Sequence, residues 1–436
     1  MDNRKLEYGL DDIPTFSELM LLGMQWLAII IPIVIIVGKI VAGLHFTAPA
    51  AQTIYIQKIF FITGLALLAQ LLWGHRLPLI TGPATILLVG IVSSQGSGIN
   101  AVYTAMAIGG LILFILSATG LFGYMKQLFT PPVVATILIL VAFTLTPMIL
   151  DLSTSAAMPE LAPVHLCFVL VFVISIFAVN RIVTGFWKSA LIMWAMIAGT
   201  IIYLFIFPSG LTVEAAADYK IIGGFFQDLT IAPKFEPGVI ISFIVCFIAL
   251  SINDLGSIYS LGGLLRPDNM SGRVTRGLML TGALNTLAGF LGVIGPVNFS
   301  LSPGVIVSTK CGSRLTLIPT AAALLAISFM PPAIAFMSMI PPAVVGGIMI
   351  YIMCSQIAAG LSMISASEEG FKFEHGLVIA LPLMLSIIIS FLPQSVLNAF
   401  PVIVRPIIGN GFVVGVLAVL IMEHLIFRPG SDRKRE

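Results

Sequence analysis

The sequence predicts an all-α integral membrane protein of fourteen transmembrane segments, arranged as two inverted repeats of seven, with short extended stretches in segments 3 and 10. Three observations lead there. The composition is too apolar for water, one long polar interval divides the apolar runs evenly, and two Pro/Gly-broken runs sit at matching positions in the two halves.

Of the 436 residues, 58% are hydrophobic and 9% charged, with a mean hydropathy of +1.10. A soluble domain carries about 25% charged residues, so most of this surface must face another solvent. A bilayer core takes about 20 apolar residues per helix, and the chain has room for a dozen or more. A formal net charge of +2, with no basic patch interleaved with aromatics, gives no sign of a nucleic-acid partner. The four cysteines (Cys167, Cys246, Cys311, Cys354) show neither metal-ligand nor disulfide spacing and read as packed small hydrophobes. The polar start, residues 1–18, is too long for a cleaved signal peptide, so the first apolar run is expected to remain as a membrane helix.

Apolar runs fall at 20–43, 53–73, 76–95, 102–123, 131–149, 164–180 and 187–208, forming a first repeat within 1–208. The interval 209–237 holds Glu214, Asp218, Lys220, Asp228, Lys234 and Glu236 and reads as a connecting loop. The second repeat, 238–436, has runs at 238–257, 275–295, 299–312, 315–338, 341–363, 374–393 and 408–427. With both termini cytoplasmic, sixteen of the 21 Lys and Arg residues fall on the cytoplasmic side; only Lys39, Lys58, Lys220, Lys234 and Arg405 do not. The positive-inside rule favours that orientation, in a multi-pass cell (inner) membrane protein. Lys39, late in the first span, is expected to snorkel to the outer interface.

Two stretches depart from plain apolar helix: Leu77-Pro-Leu-Ile-Thr-Gly-Pro-Ala-Thr85 and Gly295-Pro-Val-Asn-Phe-Ser-Leu-Ser-Pro-Gly304. Proline removes a backbone donor and pushes the preceding residue toward extended geometry. Each segment should therefore begin extended and become a half-helix near Pro83 or Pro303. Exposed backbone at membrane depth is tolerated only inside protein or along a cavity, and a half-helix start offers free N–H groups and a positive dipole end. Paired interruptions at corresponding positions of two halves point to the site of a transporter built from inverted repeats. No HExxH, GxSxG or paired-Asp motif suggests an enzyme.

Further residues carry a family resemblance. Tyr8-Gly-Leu-Asp-Asp12 followed by Gly23-Met-Gln-Trp-Leu-Ala28, Arg76 to Gly82, Leu128-Phe-Thr-Pro-Pro-Val-Val134 through Thr146-Pro147, and Pro341 to Gly347 appear in order. A partial signature follows in Ser302-Pro-Gly304, Thr309 and Ser313-Arg314. Together these resemble the nucleobase–ascorbate transporters, the xanthine/uracil permeases of the nucleobase–cation symporter 2 type. The resemblance implies a core domain of segments 1–4 and 8–11 moving against a gate domain of segments 5–7 and 12–14. It implies a small-molecule substrate, a planar nucleobase, held between segments 3 and 10 beside segments 1 and 8. H⁺ or Na⁺ would be the coupling ion with no other cofactor, and a homodimer in the lipid bilayer is expected.

The implied substrate residues are Asn253, Ala84, Thr85, Phe299, Ser300, Leu301, Ser302, Gln25 and Trp26. Three departures stand out. Asn253 occupies the position where the family has a Glu, Leu301 and Ser302 replace its polar pair, and Trp26 replaces its first-helix His. Asn253 still offers a donor and an acceptor but does not titrate. Asp254, with Ser257, is the candidate for ion coupling, because an intramembrane acid is functional by default; the alternative places Asp254 near the cytoplasmic interface within reach of Arg266. The rival for the whole chain is an inorganic or organic anion transporter of the sulfate-permease type, whose fold is similar and for which the missing carboxylate is electrostatically favourable.

Overall fold

The structure, a computed structural model, describes residues 6–122, 130–154, 159–208, 221–224, 232–299, 301–365, 373–401 and 404–427. The chain folds as an all-α multi-pass membrane protein. Helix α1 (Phe16–His45) is about 45 Å long at 1.5 Å per residue, enough to cross a bilayer core with a turn to spare at each end. The Glu18 carboxylate fixes its start by accepting from the Thr15 N–H (3.0 Å), the Thr15 hydroxyl (2.6 Å) and the Tyr8 hydroxyl (2.8 Å). Helix α2 (Pro49–Leu72) begins on a proline, whose missing N–H costs nothing in the first turn. The third segment is a strand, β1 (Thr81–Pro83), followed by the half-helix α3 (Thr85–Ser93).

Helices α4 (Ile99–Ala118), α5 (Pro131–Thr144), α6 (Thr146–Thr154), α7 (Ala162–Ile182) and α8 (Leu191–Ile206) follow. After the polar connection come α9 (Pro237–Leu265), α10 (Met270–Leu291), strand β2 (Pro296–Asn298) and the half-helix α11 (Ser302–Thr309). The longer helices that follow are α12 (Leu317–Ser328), α13 (Pro331–Met337), α14 (Pro342–Ser365), α15 (Phe373–Ser390) and, after short helical turns at Gln394–Asn398 and Arg405–Ile408, α16 (Gly411–Ile421), which runs into a π-helical turn at Met422–Ile426.

Differences from the expected spans have local causes. The eighth segment does not stop at residue 257: α9 continues to Leu265 and ends where Arg266 takes a left-handed conformation (φ 47°). The run 315–338 is not one rod but α12 and α13 bent by 101° at the Pro331-Pro332 pair. Lys39 is half-buried, and its ammonium donates to the carbonyls of Ser338 (2.9 Å) and Ile340.

Packing divides the helices into two groups. Helix α2 lies against α1 and α12, α10 against α4, and α9 against α3 and α4. In the other group α14 packs on α5, α6, α7 and α8, while α15 and α16 pack on each other and on α5. Between the groups, α1 meets α8, and the N-capping Asn410 of α16 donates to the Ser242 hydroxyl of α9 (2.9 Å).

Small residues set the closest approach. A Cβ on Gly282 of α10 would lie 2.5 Å from the Phe114 nitrogen and 2.8 Å from the Gly110 oxygen; on Gly289 it would meet the Ala107 nitrogen at 2.6 Å. Without a hydrophobic drive between helices in lipid, such backbone contact is what holds two spans together. Gly282→Leu is therefore expected to destabilise by at least about 1–3 kcal/mol through overpacking, lowering the melting temperature of detergent-solubilised protein. An unchanged Tm would contradict the α4–α10 contact.

Candidate functional site

The site forms where the two broken segments meet. Strands β1 and β2 pair antiparallel in the register Thr81↔Asn298, Gly82↔Val297, Pro83↔Pro296. The ladder is extended by Ala84 N–H to the Gly295 oxygen (3.0 Å) and Phe299 N–H to the Ile80 oxygen (2.8 Å). The Ser302 hydroxyl accepts from Ile80 N–H (3.0 Å), so the first residue of one half-helix closes the backbone ahead of the opposite strand. Gly82 is needed here: a Cβ would sit 2.5 Å from Cε2 of Phe299, whose ring lies over the strand. Helices α1, α2 and α3 flank β1 or pack on one another beside it, and α9 and α10 contact β2.

Behind the strands lies a connected set of buried polar side chains. Asp254, fully buried, accepts at Oδ1 from the Asn298 side-chain amide (2.5 Å) and backbone N–H (3.3 Å), and at Oδ2 from the Thr281 hydroxyl (2.6 Å). Thr281 in turn accepts from the Gln70 amide (3.1 Å). The Asn298 oxygen takes the Thr81 hydroxyl (2.8 Å) and faces His75 Nε2 (3.4 Å). His75 Nδ1 accepts from Leu77 N–H (3.0 Å), which assigns the ring proton to Nε2. Every group facing Asp254 is thus a neutral donor, and among the described residues no Lys or Arg forms an ion pair with it. The Asp254 carboxyl is buried against β2, and α9 runs on for eleven residues beyond it to Leu265.

The expected substrate residues separate into two sets. Asn253, one position from Asp254 and therefore about 100° round the helix, is half-buried and faces away from the network. On the same side of α9, at helical spacing, lie Gly256, Ser260 and Gly263, all exposed. A Cβ on Gly256, Gly263 or Gly304 would meet nothing within 4 Å. Leu301, capping α11, is also exposed, so open space adjoins both α9 and the start of α11. Ala84 and Thr85 are buried at the start of α3, and Phe299 is half-buried. Gln25 is buried, with its Nε2 lacking a hydrogen-bond partner among the described residues.

The other set has its polar atoms committed to the protein. Trp26 is buried and its indole N–H donates to the Thr316 hydroxyl (3.1 Å), tying α1 to the start of α12. Ser302 is held by Ile80, and Ser257 donates to the carbonyls of Asn253 (2.9 Å) and Asn298 (3.0 Å). Ser300 lies outside the described residues. Sequence reasoning did not find Asn298, Thr281, Gln70 or His75. Only Asn298 carried a signal, its place inside the Pro/Gly-broken stretch; the other three are isolated polar residues with no motif.

No group of three or more His, Cys, Asp or Glu side chains has metal-binding geometry among the described residues. An apolar groove of about 550 Å³ runs between α7 and α8 but is lined by none of the site residues. Asn298→Ala removes a side-chain donor from a buried carboxylate, a loss of about 2–3 kcal/mol, and should lower Tm accordingly. A Tm equal to that of the unaltered protein would mean that Asp254 does not depend on Asn298.

Comparison with known proteins places this geometry in a lineage. The xanthine/uracil permease model, described as a permease family, matches residues 17–395. Similar proteins include the nucleobase transporter PlUacP of Paenibacillus larvae, 27% identical over 96% of this chain and 97% of its own. The xanthine permease of Bacillus subtilis is 26% identical over 96% of both chains, and the uric acid permease PucK of the same organism 27% identical over 94% and 96%. Among solved structures, the transmembrane domain of the cyanobacterial bicarbonate transporter BicA superimposes with a TM-score of 0.63 at 17% identity, covering 87% of this chain and 98% of that one. Murine Slc26a9, an anion transporter in its inward-facing state, gives 0.62 at 12% identity over 95% and 69%. These structures share the fold alone. The family match spans most of the chain, and this protein belongs to the xanthine/uracil permease family.

Proposed function

We propose that this chain is a secondary transporter that carries a nucleobase-like planar heterocycle by cation symport with alternating access. The observation that carries the reading is the pair of half-helices, α3 and α11, that start beside one mid-membrane strand pair in a chain matching the permease family. In this reading Asn253 presents its amide to the polar edge of the base. Phe299 supplies a stacking face. The unpartnered Gln25 amide and the first N–H groups of α3 receive ring carbonyl oxygens. Asp254 is the coupling group, set one helix face away from the substrate.

Fourteen segments follow if α5 with α6, and α12 with α13, each count as one span, with the two half-helices as segments 3 and 10. The two packing groups support a core of segments 1–4 and 8–11 and a gate of segments 5–7 and 12–14. The basic-residue distribution supports cytoplasmic termini in a cell membrane, and the family resemblance supports a homodimer. The open face from Asn253 to Gly263 then forms a path from the site toward the cytoplasm.

A ligand that binds only folded protein stabilises it by about 2.7 kcal/mol at 100 times its Kd. Thermal-shift measurements with uracil, xanthine, urate, adenine, ascorbate, sulfate and bicarbonate should show stabilisation by a base that Asn253→Ala abolishes. Stabilisation by sulfate or bicarbonate alone would replace this reading with the anion-transporter one. Gly256→Leu should place bulk in open space, leaving the ligand-free Tm unchanged while removing the shift given by the base. A shift retained in Gly256→Leu would put the substrate elsewhere.

A further inference from the structure

Two connections join the packing groups, the first described at residues 207–208, 221–224 and 232–236 and the second at residues 329–341. Gly223 of the first and both ends of the second are held by side chains of α1 and α2. Gln57, almost fully buried in α2, donates its amide to the Gly223 oxygen (3.1 Å) in the first connection and to the Ser328 oxygen (2.9 Å) at the start of the second. Gly223 N–H donates to the Phe329 oxygen (2.9 Å), so the two connections are also stitched to each other. A Cβ on Gly223 would lie 2.6 Å from Cγ of Pro331. Lys39 of α1 holds the far end of the second connection through the carbonyls of Ser338 and Ile340. Ser338 caps α13, so the ammonium sits at the negative end of a helix dipole.

A half-buried ammonium on a membrane-spanning helix is expensive unless specific partners compensate it. Both partners named here belong to the connection and none to the substrate site. Immediately beyond Ile340 come Pro341 and Pro342, the start of α14 in the other group. We propose that Lys39 and Gln57 are positioning residues that fix residues 329–340, with Gly223 of the other connection, to the core as one strap, so that the pivot for core movement lies at Pro341-Pro342. The inference rests on the core-and-gate reading given above. During transport the strap travels with α1 and α2, and the angular change is concentrated at residues that carry no strap contact. Loosening the strap lets the core move without a fixed lever arm, which slows the conformational step and leaves the substrate site intact.

The test compares the unaltered protein, Lys39→Met, Lys39→Arg and Gln57→Leu in lipid vesicles, reading backbone hydrogen exchange over residues 329–341 and uptake of radiolabelled xanthine. Lys39→Met should speed exchange at 337–340 and lower Vmax about ten-fold with KM within about two-fold; Lys39→Arg, which can donate to both carbonyls, should restore both. Gln57→Leu should do the same at 329–330, and it carries the test if Lys39→Met does not fold. Exchange or Vmax unchanged in both neutral variants overturns the proposal, as does a loss of Vmax that Lys39→Arg fails to restore. A disulfide between Gly223→Cys and Pro331→Cys supplies an independent arm, because a strap that moves as one body tolerates it. Transport abolished by that bond and recovered with reductant would show that the connections separate. Failure of the unaltered protein to take up xanthine counts against the substrate reading; the strap is then still decided by hydrogen exchange.

Discussion

Each peptide group left unpaired in hydrocarbon costs several kcal/mol, and this chain breaks two of its membrane segments into extended backbone. The pairing of Thr81–Pro83 with Pro296–Asn298 makes those breaks tolerable, and much of the molecule is arranged around it. The two prolines face each other at one end of the ladder, where neither strand has an N–H to offer. Ala84 and Phe299 continue the hydrogen bonding past the strand ends, and Ser302 supplies a hydroxyl where the backbone alone would leave Ile80 unpaired. The half-helices then start at fixed positions with their free N–H groups beside the space that adjoins α9 and α11.

The strand pair is held from behind by one carboxylate. Asp254 reaches from α9 to both the side chain and the backbone of Asn298, and through Thr281 to α10 and Gln70 of α2. Three helices and a strand therefore share one hydrogen-bonded group that, among the described residues, forms no ion pair. Such a group is sensitive to any change in its own charge, because protonation or a bound cation alters the very bonds that hold β2 in place. This sensitivity makes Asp254 suited to the coupling role proposed for it, and it explains why Asn253 need not titrate. The two proposed roles fall on adjacent residues about 100° apart round the helix, Asp254 buried against Asn298 and Asn253 half-buried.

Much of this was legible in the sequence. Apolar runs and the polar interval gave the order of the helices, and Pro/Gly crowding at 77–85 and 295–304 marked both broken segments. The placement of Asn253 and Asp254 on different faces followed from helical spacing alone. What periodicity did not reveal was partnership at long range. Nothing near Trp26 shows that Thr316, 290 residues away, accepts its N–H. Gln70, His75 and Thr281 look like incidental polar residues until folding brings them to Asp254 or Asn298. Nothing local to Lys39 shows that the carbonyls of Ser338 and Ile340 accept from its ammonium. The eighth apolar run ends at 257, because the residues beyond it are more polar, yet α9 continues to Leu265.

The central claim is that a buried carboxylate behind the strand pair converts an ion gradient into substrate accumulation. Uptake of radiolabelled xanthine into proteoliposomes under an imposed proton or sodium gradient tests it most directly, comparing the unaltered protein with Asp254→Asn. The account predicts that the unaltered protein accumulates xanthine above its external concentration, whereas Asp254→Asn exchanges internal for external xanthine without accumulating it. Gradient-driven accumulation by Asp254→Asn at the unaltered rate would contradict the account and reduce Asp254 to a structural tie.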